Sequence, residues 1–472
     1  MTNSLSSQDA VPADPLKNLR LAVYAYFILW IFEGTLRKWI LPGLSSPLLI
    51  IRDPILLYIY FETVRLKAFK LNGYLTFFFI LSILSVIVSL GLQKAPPLKV
   101  VIFGIHANFL HLPLIFILPR ILSYSHVKKI GAIILWLAPP MALLATLQFF
   151  SSSGARINTG AGGEGKMIET ALGRIRPSGT FSFTNGLAEY TVLLAAFLFH
   201  HLLEKDVFKK IAFYMAAPSL LMLVVMSGSR TVFALVALEV LTVVAIWFLK
   251  PRFLQSSIKL VLIGVAVVTV IGSVGALKIG MDVIVARFAD SGGVKEGFLI
   301  RFLDEFKKPI DSAMRAEPGG VGIGMGTNAA SSMMYNMLRF NFGESEMDRV
   351  VMEMGPYLGL PYLVWRFAVL FLVARMGLAA LRIENNTLPL LLATACANDL
   401  VMGQFGQTTV LGFAVMAAGL SLSAAKRNEE LSAESDLTPL ENPRELTRPT
   451  CAVYAEKLRA EVASLPKKKT RK

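Results

Sequence analysis

The feature that most constrains this chain is a series of long apolar segments, which recur from residue 19 to residue 424 with mostly short polar breaks. A run of about 20 apolar residues is long enough to cross the hydrocarbon core of a bilayer as an α-helix. The composition, 54% hydrophobic and 17% charged residues, is far more apolar than that of a water-soluble chain of this length. The sequence therefore predicts an all-α, polytopic membrane bundle.

Hydropathy places about twelve membrane-spanning segments along the chain. They cover residues 19–36, 44–62, 74–92, 98–119, 130–150, 180–203, 209–227, 230–249, 257–278, 350–374, 386–402 and 406–424. Lys and Arg residues concentrate in alternate short connections, at residues 65–70, 120–129, 205–210, 250–252 and 375–382. Because basic residues near span ends are retained in the cytoplasm, this pattern predicts a cytoplasmic N-terminal tail, residues 1–18. It also predicts a cytoplasmic C-terminal tail, residues 425–472, which is rich in Glu, Lys, Arg and Pro and ends in a basic stretch, a composition that favours disorder.

Two connections on the opposite face, residues 151–179 and 279–349, are too long to be simple turns. In a compact fold, long connections usually carry function. The second contains apolar residues at helical spacing between Phe298 and Ile310, which predicts a helix on or above the membrane surface. We therefore expect the chemistry of this chain on the extracytoplasmic side.

The most informative charged residue is Arg230, which follows Ser227, Gly228 and Ser229 between two apolar segments. Charged side chains at membrane depth are costly, so each one is a candidate functional residue. Glycine permits a tight turn, serine can cap the next helix, and a guanidinium can bind phosphate through paired hydrogen bonds. The alternative is that Arg230 only extends to the membrane surface.

The first long connection ends in GRIRPSGTFSFTNGLAEY, in which Arg174 and Arg176 precede a helix start at Thr184, Asn185 and Gly186. The N-terminus of a helix beside arginines attracts anions. This pattern makes Arg176 and Asn185 candidates for an anion site. A capped helix with surface arginines explains it equally well.

The second long connection contains Arg301, then a glycine-rich stretch, EPGGVGIGMGTN, and then an acidic group as the chain returns to the membrane. The glycine stretch lacks the Gly-Lys-Ser/Thr ending of a nucleotide-binding loop and predicts a tightly packed turn. The acidic group consists of Glu344, Glu346, Asp348 and Glu353, together with Arg349. One of its carboxylates can act as a general base on a sugar hydroxyl, or the group can be a solvated helix start.

The cysteines and histidines do not predict a metal centre. Cys396 lies in an apolar segment and Cys451 in the polar tail, so no disulfide framework follows. The five histidines, His106, His111, His126, His200 and His201, show no ligand spacing with nearby carboxylates. We expect no metal and no cofactor, and a helix-packing role for His106 and His111.

Three stretches resemble the O-antigen ligase and O-antigen polymerase family of bacterial glycan-assembly proteins, within residues 74–424. They are RPSGTFSFTNGLAEY at a helix start, SGSRT between adjacent segments, and the stretch from Arg301 to Gly324 followed by EMGPYLGL. The resemblance implies a GT-C-like glycosyltransferase of the bacterial inner membrane that serves lipopolysaccharide or other cell-surface polysaccharide biosynthesis. Such a protein transfers a glycan from undecaprenyl diphosphate to an acceptor glycan in the periplasm, with inversion and without a metal, cofactor or nucleic acid.

The resemblance also implies roles for particular arginines. Arg230 and Arg301 match the family's arginines thought to bind the donor diphosphate, and Arg176 is a further candidate. This agrees with the phosphate-binding geometry of the guanidinium group. Other polysaccharide-assembly proteins remain open as partners.

The chain departs from the ligase pattern at the expected catalytic base. Ligases carry His-Asn eleven residues before the glycine that Gly355 matches, and here Glu344 and Ser345 occupy those positions. The base is then expected at Glu344 or Glu346. This departure favours a polymerase over a ligase that acts on lipid A core.

Two further classes stay open from the sequence. A lipid-linked oligosaccharide transporter, or flippase, would require charged residues near the membrane midplane. Only Arg52 with Asp53 meets that description, and this pair before Pro54 can equally be structural. A non-catalytic scaffold would tolerate the loss of Arg230.

Overall fold

A computed structural model describes residues 14–161, 167–205, 207–255, 257–258, 275–289, 299–327, 334 and 345–426. Its α-helices are α1 (Lys17–Thr35), α2 (Asp53–Arg65), α3 (Gly73–Gly91), α4 (Leu98–Ile105), α5 (Leu114–Ile121), α6 (Tyr124–Phe150), α7 (Thr184–Glu204), α8 (Lys210–Met226), α9 (Arg230–Leu249), α10 (Gly275–Ala289), α11 (Leu299–Arg315), α12 (Glu346–Met354), α13 (Pro356–Glu384), α14 (Leu388–Met402) and α15 (Thr408–Ala424). All these helices belong to one compact unit. The described residues form no β-strand, which confirms the all-α prediction for that part of the chain.

Six of the described helices are long and apolar enough to cross a membrane: α1 with the turn that follows it, α3, α6, α7, α9 and α13. The helices α4 and α5, bent by 47° at a short break, add a seventh span if they are counted together. Three further apolar helices, α8, α14 and α15, are shorter. The chain therefore has the helices of a multi-pass membrane protein, with fewer long spans among the described residues than the sequence predicts.

Two predicted spans differ from the observed helices because of proline and glycine. At the span predicted for residues 44–62, the chain first forms two short 3-10 turns, which start at Pro42 and Pro47. The α-helix starts only at Asp53. The span predicted at residues 350–374 is divided at Gly355, which adopts a φ of 72°. Most of the predicted span 257–278 and the C-terminal tail from residue 427 lie outside the described residues.

The core of the bundle surrounds α7. In the most apolar stretch of this helix 89% of the residues are buried, compared with 28% for α3 and 22% for α9. Around it pack α6, α8, α9, α14 and α15. Large apolar side chains on the outer helices, such as Phe248 and Phe371, are exposed. An apolar outer surface of this extent suits a lipid environment and not water.

Two helices end in π-helical turns that contain buried polar residues. The turn Leu36–Ile40 follows α1 and contains Arg37 and Lys38, and the turn His106–Leu110 follows α4 and contains His106 and Asn108. Single π-helical turns inside or beside α-helices occur frequently at functional sites. The buried polar residues of both turns are therefore candidates for a functional role.

The glycine-rich stretch packs against the end of α12, as the sequence predicts. Val321 and Gly322 donate backbone hydrogen bonds to the carbonyl groups of Met352 and Glu353, at 2.9 and 3.0 Å. A Cβ atom at Gly355 would lie 2.2 Å from the carbonyl oxygen of Pro318. Only glycine fits this crossing of two backbones.

Candidate functional site

Three arginines from separate parts of the chain meet at one end of the bundle, and we call them the arginine cluster. Arg176 lies before α7, Arg230 is the first residue of α9, and Arg287 lies near the end of α10. Arg176 Nη2 is 3.5 Å from Ser229 Oγ, and Arg230 Nη1 donates to the carbonyl oxygen of Arg287 at 3.3 Å. Arg287 Nη1 donates to Thr170 Oγ1 at 3.1 Å. Two of the predicted diphosphate-binding residues are thus neighbours.

The three positive charges of the arginine cluster repel one another. Burial lowers the pKa of Arg176, and the positive charges of Arg287 and Arg230 lower this pKa further. The buried Nε of Arg176 has no hydrogen-bond partner within the described part of the chain. No carboxylate among the described residues pairs with Arg176 or Arg287. Because a guanidinium stays protonated in proteins, the cluster is electrostatically suited to bind an anion.

The short connection between α8 and α9 positions this cluster. Gly228 has a φ of 54°, which favours glycine, and a Cβ atom there would meet the side chain of Thr170 at 3.2 Å. Ser227 Oγ accepts a hydrogen bond from the backbone N–H of Ser229 at 3.2 Å. Ser229 precedes α9 without a side-chain capping bond, and its hydroxyl contacts Arg176 instead. The predicted serine cap is therefore replaced by a contact with the cluster.

The segment that carries Arg176 is fixed to α1 by residues that sequence reasoning missed. Lys38 Nζ donates to Ser178 Oγ at 2.9 Å and to the carbonyl oxygen of Gly179 at 2.7 Å. Arg37 Nη1 donates to Ser182 Oγ at 2.9 Å. In the sequence, Arg37 and Lys38 resemble the ordinary basic end of an apolar helix. The structure shows that their side chains bind the segment from Ser178 to Ser182.

Arg287 is the second functional candidate that the sequence did not single out. It lies in one of the long polar connections, among many other basic residues, and no local motif marks it. Its position depends on the packing of α10 against α8 and the loop near residue 171. Arg301 belongs to the first turn of α11, and its side chain lies outside the part of the chain that the structure describes.

A second group of polar residues lies where the chain re-enters the bundle. We call it the carboxylate network, and it consists of Glu346, Arg349, Glu353 and Arg366. Glu346 accepts hydrogen bonds from Arg349 Nε and Nη2, both at 2.8 Å, and from Arg366 Nη1 at 3.1 Å. Arg349 Nη1 also lies 2.8 Å from Glu353 Oε2. All four side chains are buried. Buried charges are stable only when they are paired, and here two carboxylates and two guanidinium groups neutralise one another.

Glu353 extends the network to the glycine-rich stretch. Its two carboxylate oxygens accept the backbone N–H groups of Gly324 at 3.1 Å and Gly326 at 2.8 Å. Asn108 Oδ1 accepts from Arg349 Nη2 at 2.9 Å, which joins the π-helical turn after α4 to the same network. The network therefore fixes three segments that are far apart in sequence.

The predicted site residues whose side chains the structure describes lie at three positions. Arg176 and Arg230 lie in the arginine cluster, whereas Glu346 and Arg349 lie in the carboxylate network. Asn185 lies at the start of α7 and donates to Gln407 Oε1 at 3.2 Å, in neither group. Glu344 lies outside the described residues.

The fold and the clusters define a class: an all-helical, multi-pass membrane protein with a partly buried cationic site at one end of its bundle. Neither a family model nor any curated protein matches the sequence.

Proposed function

We propose that this protein is a glycosyltransferase that moves a glycan from an undecaprenyl diphosphate carrier to an acceptor glycan at the periplasmic face of the bacterial inner membrane. The observation that carries the proposal is the arginine cluster, in which three guanidinium groups share one partly buried site. A diphosphate supplies the charge and the acceptor oxygens that such a site requires. Purified protein in liposomes is expected to transfer glycan from this carrier without a nucleotide sugar.

In the proposed reaction, the hydroxyl oxygen of the acceptor sugar attacks the anomeric carbon of the donor from the face opposite the diphosphate. The new glycosidic bond forms as the bond from the anomeric carbon to the diphosphate oxygen breaks, and configuration inverts. The hydroxyl proton passes to a carboxylate, and undecaprenyl diphosphate leaves as an anion. The three arginines of the arginine cluster, together with Arg301, stabilise the charge that develops on this leaving group in a site of low dielectric. No metal and no cofactor is required.

The proposed topology has about twelve spans, with both termini in the cytoplasm and residues 151–179 and 279–349 in the periplasm. The distribution of Lys and Arg supports it, because the basic connections all fall on one side of the proposed bundle and the two long connections on the other. The arginine cluster draws its residues from both proposed periplasmic connections and the turn at Gly228. Lateral access from the outer leaflet would bring the lipid-linked donor to it.

Substitution of the two predicted base residues is expected to give different results. Glu344→Gln should abolish transfer with normal accumulation of the protein, because an amide cannot accept the acceptor's proton. Glu346→Gln should instead lower thermal stability, because the carboxylate of Glu346 is held by Arg349 and Arg366 inside the bundle. Product length on a gel and thermal unfolding in detergent measure the two effects.

The pair of variants also tests the assignment of the base. Full transfer activity of Glu344→Gln would contradict a catalytic role for Glu344. Loss of transfer by a stable, normally accumulating Glu346→Gln variant would move the role to Glu346. The presence of Glu344 and Ser345 where ligases carry His-Asn supports a polymerase, with ligation to lipid A core as the alternative.

A lipid-linked oligosaccharide transporter is the second candidate, and buried carboxyl groups favour it. Glu189 of α7 and Asp399 of α14 share a side-chain hydrogen bond. Glu239 of α9 is fully buried, and neither of its carboxyl oxygens has a hydrogen-bond partner among the described residues. Ionisable residues inside a membrane bundle often mark proton or substrate pathways. Movement of labelled lipid across the bilayer without transfer would favour this candidate.

A further inference from the structure

Three side chains of metal-ligand type meet where the sequence offers no ligand spacing. Asp53 begins α2, His106 begins the π-helical turn after α4, and His111 follows that turn. His106 Nδ1 is 2.8 Å from Asp53 Oδ2, and His111 Nε2 is 3.1 Å from Asp53 Oδ1. One potential ligand atom from each residue lies within 4.8 Å of the other two. The sequence predicted helix packing for these histidines because both lie on the fourth predicted span without a nearby carboxylate at ligand spacing, and 53 and 58 residues separate them from Asp53.

We propose that Asp53, His106 and His111 bind a divalent transition-metal ion, and that Zn²⁺ is the ion this site takes. Two imidazoles and one carboxylate form a donor set that zinc accepts readily. With metal–ligand bonds of about 2.0–2.1 Å, neighbouring ligand atoms of a tetrahedral site are about 3.3 Å apart. The observed separations of 2.8 and 3.1 Å run to the two different oxygens of Asp53, so coordination through one of them requires a rotation of this carboxylate and small movements of the two rings.

The surroundings of the three residues fit a metal site. Tyr26 Oη lies 2.8 Å from His111 Nδ1, so this nitrogen can donate its proton to the hydroxyl oxygen while Nε2 binds the ion. A hydrogen bond of this type to the second ring nitrogen orients metal-binding histidines. His106 Nε2 is buried without a hydrogen-bond partner within the described residues. His106 would bind the ion through Nδ1, the nitrogen that faces Asp53.

The neighbouring positive charge does not exclude a cation. Arg52 Nε lies 3.3 Å from Glu33 Oε2, and Arg52 Nη2 donates to the carbonyl oxygen of Thr408 at 2.5 Å. Glu33 is shared with Arg37, whose Nη1 lies 3.4 Å from Glu33 Oε1, so it offsets the charge of Arg52 in part; Asp53 is the carboxylate that faces the two histidines. The side chain of Asp53 is 15% exposed, whereas those of His106 and His111 are 4% and 0% exposed. A fourth ligand, such as water, can reach the ion on the side of Asp53.

The ion would act structurally. It would tie the first turn of α2 to the bend between α4 and α5, two elements that meet beside the buried π-helical turn. This role does not rest on the proposed glycosyl transfer. A structural zinc ion is also compatible with a transfer reaction that requires no metal.

The experiment measures zinc binding by the full-length protein, purified in detergent without a polyhistidine tag. Protein treated with a chelator is titrated with Zn²⁺ in competition with a chromophoric chelator, and bound zinc is counted by mass spectrometry. We expect one zinc ion for each chain. Asp53→Asn and His111→Ala should each weaken binding by at least about tenfold, and Tyr26→Phe should weaken it less.

The control variant is His126→Gln, because His126 lies at the start of α6 and contacts Ser123 rather than Asp53. It should bind zinc as the unchanged protein does. Equal binding by the unchanged protein and by Asp53→Asn would overturn the proposal. If the variants fail to accumulate, X-ray absorption at the zinc edge of the unchanged protein decides: mixed imidazole and carboxylate coordination supports the site, and absence of bound zinc contradicts it.

Discussion

Replacement of Arg230 or Arg176 by alanine is expected to abolish long-chain polysaccharide while the protein still inserts and accumulates normally. In the proposed function each guanidinium contributes to one anion site, and removal of a single group that stabilises transition-state charge typically lowers a rate by about 10²–10³. The same loss is expected for Arg287→Ala and Arg301→Ala. The measurement is polysaccharide chain length on a gel, in cells that express each variant in place of the unchanged protein.

Arg174 provides the matched control for these variants. It lies two residues before Arg176 in the same segment, but its guanidinium faces the rings of Phe149 and Phe150, at 5.9 and 5.0 Å from their centroids. Arg174→Ala removes one positive charge without touching the arginine cluster, so it should keep normal chain lengths. Unchanged chain lengths in both Arg230→Ala and Arg176→Ala, at normal protein levels, would refute the proposed role of the cluster.

Arg366→Met is expected to destabilise the bundle more than any surface substitution. Arg366 is fully buried and donates to the carbonyl oxygens of Leu400 at 2.7 Å and Gly403 at 3.0 Å, and to Glu346 at 3.1 Å. Methionine fills similar volume but removes this donor from the carbonyl oxygens of Leu400 and Gly403, and it leaves Glu346 with only one of its two arginines, Arg349. Removal of one partner from a buried ion pair typically costs about 3–5 kcal/mol. Thermal unfolding of the purified variant in detergent measures the effect.

Arg375→Met is the matched control for this substitution. Arg375 lies on the same helix, α13, but it is exposed, and an exposed cation contributes little to stability. The expected order of thermal stability is therefore unchanged protein, then Arg375→Met at nearly the same temperature, and Arg366→Met well below both. Equal stability of the two variants would show that the carboxylate network is not required for the fold.

Hydropathy predicts the long helices well because their length and composition are local properties. The spans at α3, α6 and α9 are uninterrupted apolar segments, and each forms one helix close to the predicted range. Hydropathy does not register backbone geometry. The prolines at 42 and 47 and the positive φ of Gly355 therefore shortened or divided segments that are apolar throughout.

Site residues could be predicted only where one local motif contains them. SGSRT and GRIRPSGT pointed to Arg230 and Arg176, because a turn next to an apolar helix is visible in sequence. Arg287 and Lys38 were missed because their partners lie far along the chain. The same limit applies to Asp53 and the two histidines beside it.

The carboxylate network shows a related limit. A group of acidic residues at a helix start is compatible with solvent, with catalysis or with buried ion pairs, and the sequence alone does not separate them. Arg366 forms a buried ion pair with Glu346, although it lies 20 residues later, inside an apolar segment of α13. Only the packing of α12 on α13 brings the two together.

The most direct test of the central claim uses purified protein in liposomes with an undecaprenyl diphosphate-linked oligosaccharide and no nucleotide sugar, with product length measured on a gel. The proposed function predicts a ladder of longer carrier-linked glycans, which is lost in Arg230→Ala and retained in Arg174→Ala. Absence of transfer, together with movement of labelled lipid across the bilayer, would contradict the glycosyltransferase assignment and establish a transporter.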